Sequence, residues 1–196
     1  VNTLVDNAND IYKVNQDGAG LERVTTLAQK LSSPQVSQEG NLIFILNKQL
    51  YLQEDDKLFK MSNSPVPITN PHWLNNNQLA FLKMDKITTG NIFMLSKDGS
   101  GLFAVTKDEV ITTFDFNNNM FAFSDEKGLW VSDAKIHNKV LITQDSKISE
   151  IALAKDSDTI AFTSEKTGKK QIYTIRTSGS DLKQITCDGE CFSPSL

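Results

Sequence analysis

One arrangement of residues recurs five times along this 196-residue chain, at intervals of about 40 residues, and it limits the fold more than any other feature. Each copy opens with an apolar residue ahead of a polar turn: Val36, Trp73, Phe116, Leu153 and Leu196. The turns are rich in Asn, Asp, Ser and Gly, as in Ser37-Gln38-Glu39-Gly40 and Asn117-Asn118-Asn119. These residues tolerate left-handed backbone or bond their own main chain. A short apolar strand follows, as Leu42-Ile43-Phe44, Leu79-Ala80-Phe81, Phe121-Ala122-Phe123 and Ile160-Ala161-Phe162. After a loop of variable length come the aliphatic-aromatic pairs Ile11-Tyr12, Leu50-Tyr51, Ile92-Phe93, Leu129-Trp130 and Ile172-Tyr173, spaced by 39, 42, 37 and 43 residues. A last strand carries Val24-Thr25, Ile68-Thr69, Val105-Thr106, Ile142-Thr143 and Ile185-Thr186.

Four short strands per copy, rich in β-branched and aromatic residues, predict an all-β chain, and no helical periodicity is sustained. A small sheet with large apolar residues on both faces must lie between two similar sheets. Radial stacking of such sheets gives a β-propeller. Most of the large residues are therefore expected in the core. The expectation is a single domain over 1–196, a five-bladed propeller of four-stranded antiparallel blades. The blades span 32–69, 70–107, 112–145 and 148–187, with a fifth assembled from both termini, 190–196 plus 1–27. Thr3-Leu4-Val5 stands where a second strand belongs, and Phe192-Ser193-Pro194-Ser195-Leu196 supplies the missing first strand. Such sharing would pair an otherwise bare sheet edge.

One column of the repeat is polar. Gln35, His72, Asp115 and Ser195, with Ala152 in the remaining copy, precede the apolar residue of the first strand. First strands line the axis of a propeller, so these positions are expected to face a central channel, either as a solvated tunnel or as a ligand site. Other chemistry is sparse. The two histidines, His72 and His137, stand far apart, and the nucleophile-elbow, metalloprotease and phosphate-loop motifs are missing. No catalytic residue, metal ligand or cofactor is assigned. Asp6-Asn7-Ala8-Asn9-Asp10 lacks the spacing of a calcium loop and reads as turn chemistry. Lys166-Thr167-Gly168-Lys169-Lys170 reads as a solvated hairpin tip. A net charge of −4 argues against nucleic acid, and no window of 18 apolar residues offers a membrane span. Cys187 and Cys191 suit either a local disulfide or two reduced thiols. The chain opens on Val1 with no signal sequence, the expectation for a trimmed or processed product.

The stretch Ile160-Ala161-Phe162-Thr163-Ser164, Gly168, Gln171-Ile172-Tyr173, Ser178-Gly179-Ser180, Leu182 and Ile185-Thr186 resembles the TolB-type, WD40-like propeller repeat. Asp98-Gly99-Ser100 and Asp17-Gly18 match its Asp-Gly turn, and Pro71-His72-Trp73 its Pro-x-Trp. TolB itself is six-bladed and carries a separate α/β domain, for which five repeats leave no room. The resemblance implies a periplasmic or otherwise exported location and a non-catalytic scaffold that binds a protein or peptide. The loops 83–91 and 163–171 vary most in length and are candidates for recognition. The alternative is a small-ligand binder, for a sugar or peptide, or a hydrolase using the central channel.

Overall fold

The computed structural model describes residues 2–5, 8–155, 158–186 and 189–195, and among them every regular element is a strand. The first sheet holds β1 (Asn2–Val5), β2 (Ala8–Lys13) and β3 (Glu22–Arg23). Four four-stranded sheets follow. They are β4 (Leu31–Val36), β5 (Leu42–Leu46), β6 (Gln49–Glu54), β7 (Lys57–Lys60); then β8 (Ile68–Asn75), β9 (Gln78–Met84), β10 (Gly90–Ser96), β11 (Phe103–Ala104). Next come β12 (Thr113–Asn117), β13 (Met120–Ser124), β14 (Leu129–Asp133), β15 (Val140–Thr143), and last β16 (Ile148–Leu153), β17 (Thr159–Ser164), β18 (Gln171–Arg176), β19 (Lys183–Gln184). Each sheet is an antiparallel meander in chain order, the blade of a β-propeller. Tight hairpins depend on paired left-handed residues, Asn47-Lys48, Asp55-Asp56 and Asn118-Asn119, whose backbone twist matches that of the strands they join.

Side chains alternate between the two faces of a strand, and here both faces are buried. On β5, Leu42, Phe44 and Leu46 pack toward the first sheet with Ile11 and Leu31, while Ile43 and Ile45 pack toward the third with Leu79 and Phe81. The pattern repeats. Ala80 and Leu82 share a cluster with Phe121 and Phe123, and Ala122 shares one with Phe162 and Tyr173. Four apolar clusters thus fill the four seams between consecutive sheets. Within each four-stranded blade a second-strand Phe lies directly opposite a third-strand aromatic and stacks on it: Phe44 on Tyr51, Phe81 on Phe93, Phe123 on Trp130 and Phe162 on Tyr173, with ring planes 10–20° apart. Lys83, Lys139 and Lys166 lie over three of these third-strand rings.

A polar clamp also recurs. The residue before the aliphatic-aromatic pair accepts a hydrogen bond from a hydroxyl just past the last strand of its sheet: Asp10 from Thr25, Gln49 from Ser62, Asn91 from Thr106 and Gln171 from Thr186, at 2.8–3.1 Å. The same hydroxyls accept the amides of Ile11, Leu50, Ile92 and Ile172, so a buried polar position is satisfied on both sides. In the fourth sheet Gly128 takes this place. A β-carbon there would lie 2.0 Å from the Thr143 carbonyl, and Asp125 supplies the acceptor instead, bonding the Gly128 amide and Trp130 Nε1.

Several expectations change. Ile68-Thr69 is not the end of the second blade but the start of β8, the inner strand of the third. Met61-Ser62 fills the expected role, the Met61 amide bonding Leu50 as the Val24 amide bonds Ile11. Asn9 and Asp10 belong to strand β2 rather than to a turn; Asp6 and Asn7 lie outside the described residues. Burial alone would raise the Asp10 carboxyl, but Arg23, the Thr25 hydroxyl and the Leu27 amide hold it below the usual carboxylate range. Not every large residue is core: Val36 is 64% exposed, and Leu21, Phe103 and Ile185 are exposed on outer strands or beside them. The first sheet has three strands, and the described C-terminal residues 189–195 adopt none, so a blade shared between the termini is not among the described pairings. Cys187 lies outside the described residues, and Cys191 is half-buried.

The stacked pairs yield a first prediction. Phe123 is fully buried, so Phe123→Ala should cost about 3–5 kcal/mol in urea unfolding through lost contacts and an uncollapsed void. A loss under about 1 kcal/mol would show that the stack is not structural.

Candidate functional site

The first strands of the blades lie innermost, and register determines which of their side chains meet. Gln35 stands opposite Ile43, His72 opposite Ala80, Asp115 opposite Ala122 and Ala152 opposite Ala161, each at the middle of a second-strand triplet. The polar column identified in the sequence is therefore one structural level. All four residues and Ser195 line a single cavity of about 850 Å³, which extends to the turns joining first and second strands, with Gln38, Asn76 and Asn119 on its wall. The loops 83–91 and 163–171 join second to third strands and so stand at the opposite end of the blades.

The cavity wall is irregular in a repeated way. Ser33, Asn70 and Ser193 each have left-handed backbone (φ 53°, 52° and 59°), and each precedes a proline: Pro34, and Pro71 and Pro194 of the wall. In β4 and β8 this sits within a bulge that turns the post-proline residue, Gln35 or His72, back into register with the second strand. Left-handed backbone is costly for residues other than glycine and persists where the surroundings impose it.

His72 and Asp115 form the central pair. Nδ1 of His72 lies 3.2 Å from Oδ1 of Asp115, with both side chains largely buried at 14% and 17% exposure, and the imidazole packs 4.9 Å from the Phe114 ring. Asp115 is also committed elsewhere. Its Oδ1 accepts the Phe116 amide at 2.7 Å, and its Oδ2 accepts the Leu153 amide of the next blade at 2.6 Å. One carboxylate thus ties together the third, fourth and fifth sheets. Asparagines add to the seams: Asn70 donates to the Phe114 carbonyl at 2.6 Å and Asn118 to the Lys155 carbonyl at 2.7 Å. Neither asparagine was assigned a role in the sequence, where Asn118 read as part of the turn Asn117-Asn118-Asn119. Glu150, also unassigned, accepts from Thr163 and from the amide of Ser193, holding the C-terminal segment to the fifth sheet. Among the described residues no three His, Cys, Asp or Glu side chains gather as a metal site would require.

Burial pushes the His72 imidazole below its ordinary value of 6.5, and Asp115 opposes this in part. The folded protein therefore keeps His72 neutral at a pH where the unfolded chain has taken up its proton. Stability contributed by neutral His72 is present above about pH 6.5 and is lost as pH falls toward the depressed folded-state value. His72→Gln should lose less stability than the native chain between pH 7.5 and 5 in paired urea titrations. Equal losses would show that His72 does not titrate in this way.

No protein-family model and no curated protein sequence matches this chain. Solved structures do. TolB from Acinetobacter baumannii aligns with a TM-score of 0.76 at 13% identity, over 92% of this chain and 50% of that one. A puromycin-hydrolyzing peptidase of Mycobacterium tuberculosis aligns at 0.72 and 13%, over 90% and 32%. A chain of a nidogen–laminin complex aligns at 0.67 and 13%, over 91% and 71%. The fold is that of TolB-type propellers. Identities at this level speak for the fold alone, and this chain spans half or less of the first two proteins.

Proposed function

We propose that this chain is a non-catalytic binding scaffold whose partner is a protein or peptide. The reading is carried by a contrast between the two ends of the blades. At one end, the acid-base pair on the cavity wall is spent on the fold, since both oxygens of Asp115 accept main-chain amides and burial favours neutral His72. At the other end, the β9–β10 loop holds Ile87 wholly in water, at 99% exposure, on a hairpin raised from a rigid blade. Loops on rigid scaffolds are where recognition residues concentrate. The likeness to a chain of a nidogen–laminin complex supports a protein partner, and the resemblance to the TolB-type repeat supports a periplasmic or otherwise exported location for this chain. A tagged chain should retain a stoichiometric protein partner, and Ile87→Arg should weaken that complex about tenfold or more without altering the melting temperature. Retention that ignores Ile87→Arg would move recognition away from this loop, and absence of any stoichiometric partner would end the reading.

The scaffold is, in this reading, a five-bladed ring in which the C-terminal segment supplies the inner strand of the first sheet. Support comes from the path of that segment. The Cys191 amide bonds the Lys170 carbonyl just ahead of β18 as the Ile111 and Gly90 main chains bond at the start of β10, and left-handed Ser193 repeats Ser33 and Asn70. Deleting residues 190–196 should then lower the melting temperature by several degrees, whereas an unchanged value would rule out this closure. A second reading, a small ligand in the axial cavity, is favoured by the convergence of Gln35, His72, Asp115 and Ser195 on one space.

A further inference from the structure

The polar groups on the cavity wall fall into two sets. Those at the blade seams are spent: Asp115 on two amides and His72, Asn70 on Phe114, and Asn118 on Lys155. The side chains of Gln35, Gln38, Asn76, Asn119 and Ser195 make no hydrogen bond within the described protein. They come from three consecutive sheets, the second, third and fourth, and from the C-terminal segment, so no single blade supplies them. Beside them, half-buried Trp73 and Phe116 give the wall two aromatic surfaces at equivalent positions of adjacent inner strands. The charge balance is also uneven. The sole carboxylate among the lining residues, Asp115, is committed, and the uncommitted charge is one lysine, Lys155, exposed at the rim.

We propose that this cavity binds a short neutral saccharide, a function beyond the protein scaffold and located at the opposite end of the blades from Ile87. A carboxamide both donates and accepts, as a sugar hydroxyl does, so unspent amides match a ligand that offers both roles at every position. A pyranose directs hydroxyls outward around its whole perimeter and keeps apolar C–H faces above and below the ring. Unspent amides from three blades meet the perimeter, and the aromatic wall meets a face. An extended peptide offers main-chain donors and acceptors along two edges only and leaves part of those amides unpaired. A polyanionic ligand finds one lysine, and a cationic one finds no free carboxylate. The volume, about 850 Å³, falls within the roughly 300–1,000 Å³ of sites that enclose small ligands.

The test uses the full chain and neutral trisaccharides built from glucose, galactose, mannose or N-acetylglucosamine, with a galacturonate trisaccharide and a Ser-Gly-Ser-Gly peptide as comparators. At least one neutral trisaccharide should raise the melting temperature in a concentration-dependent way and titrate to saturation by calorimetry, with little dependence on salt. Gln38→Ala, Asn76→Ala and Asn119→Gly should each weaken that binding about fivefold, the value of one neutral hydrogen bond. Glycine is chosen at Asn119 because its backbone is left-handed, at φ 59°, so the fold is not strained. Ile87→Arg should leave saccharide binding unchanged, which separates this test from that of the protein partner. Absence of binding by every neutral trisaccharide, preference for the galacturonate or the peptide, or affinity indifferent to all three amide variants would each overturn the proposal.

Discussion

The architecture depends on one constraint: every blade must bury both of its faces, and only another blade can cover them. The stack of a second-strand Phe on a third-strand aromatic is the local form of that constraint. Phe44 with Tyr51, Phe81 with Phe93, Phe123 with Trp130 and Phe162 with Tyr173 each turn a flat pair of rings toward the preceding sheet. The intervening residues, Ile43, Ala80 and Ala122 among them, face the next seam and are smaller. Large side chains on one face and smaller ones on the other let successive sheets interlock without voids, which is where most of the packing energy of such a fold resides.

Much of this was legible in the sequence because strand periodicity writes faces into alternate positions. The aromatic columns, the order of strands and the polar column at Gln35, His72, Asp115 and Ser195 could all be read without coordinates. The failures have physical causes as well. Ile68-Thr69 imitates the close of a repeat, but the close needs only an apolar residue followed by a hydroxyl, and Met61-Ser62 supplies both. Asn9 and Asp10 have turn-forming side chains, yet partners far along the chain, Leu31 for Asn9 and Arg23 and Thr25 for Asp10, draw them into a strand. Local composition does not reveal such partners.

The site divides along the same line. Sequence placed Gln35, His72, Asp115 and Ser195 in one column but did not show which of them are already engaged, because engagement depends on neighbouring blades. Asp115 looks like a candidate acid or ligand until its two oxygens are found on the amides of Phe116 and Leu153. Asn118 and Asn119 are adjacent and chemically identical, yet one bonds the next blade and the other faces solvent unpaired. A buried, committed polar group fixes geometry, whereas an uncommitted one at a rim is available to a ligand.

The sharing of alternate residues between two seams has a consequence for how such a chain can diverge. A single residue inserted within β5 or β13 would invert the phase of the strand beyond it and exchange the contents of two cores at once. An insertion in a connecting loop disturbs neither. Sequence change in this fold is thus channelled by geometry into loop length, and the uneven intervals between its aromatic pairs, from 37 to 43 residues, are what that channelling leaves behind.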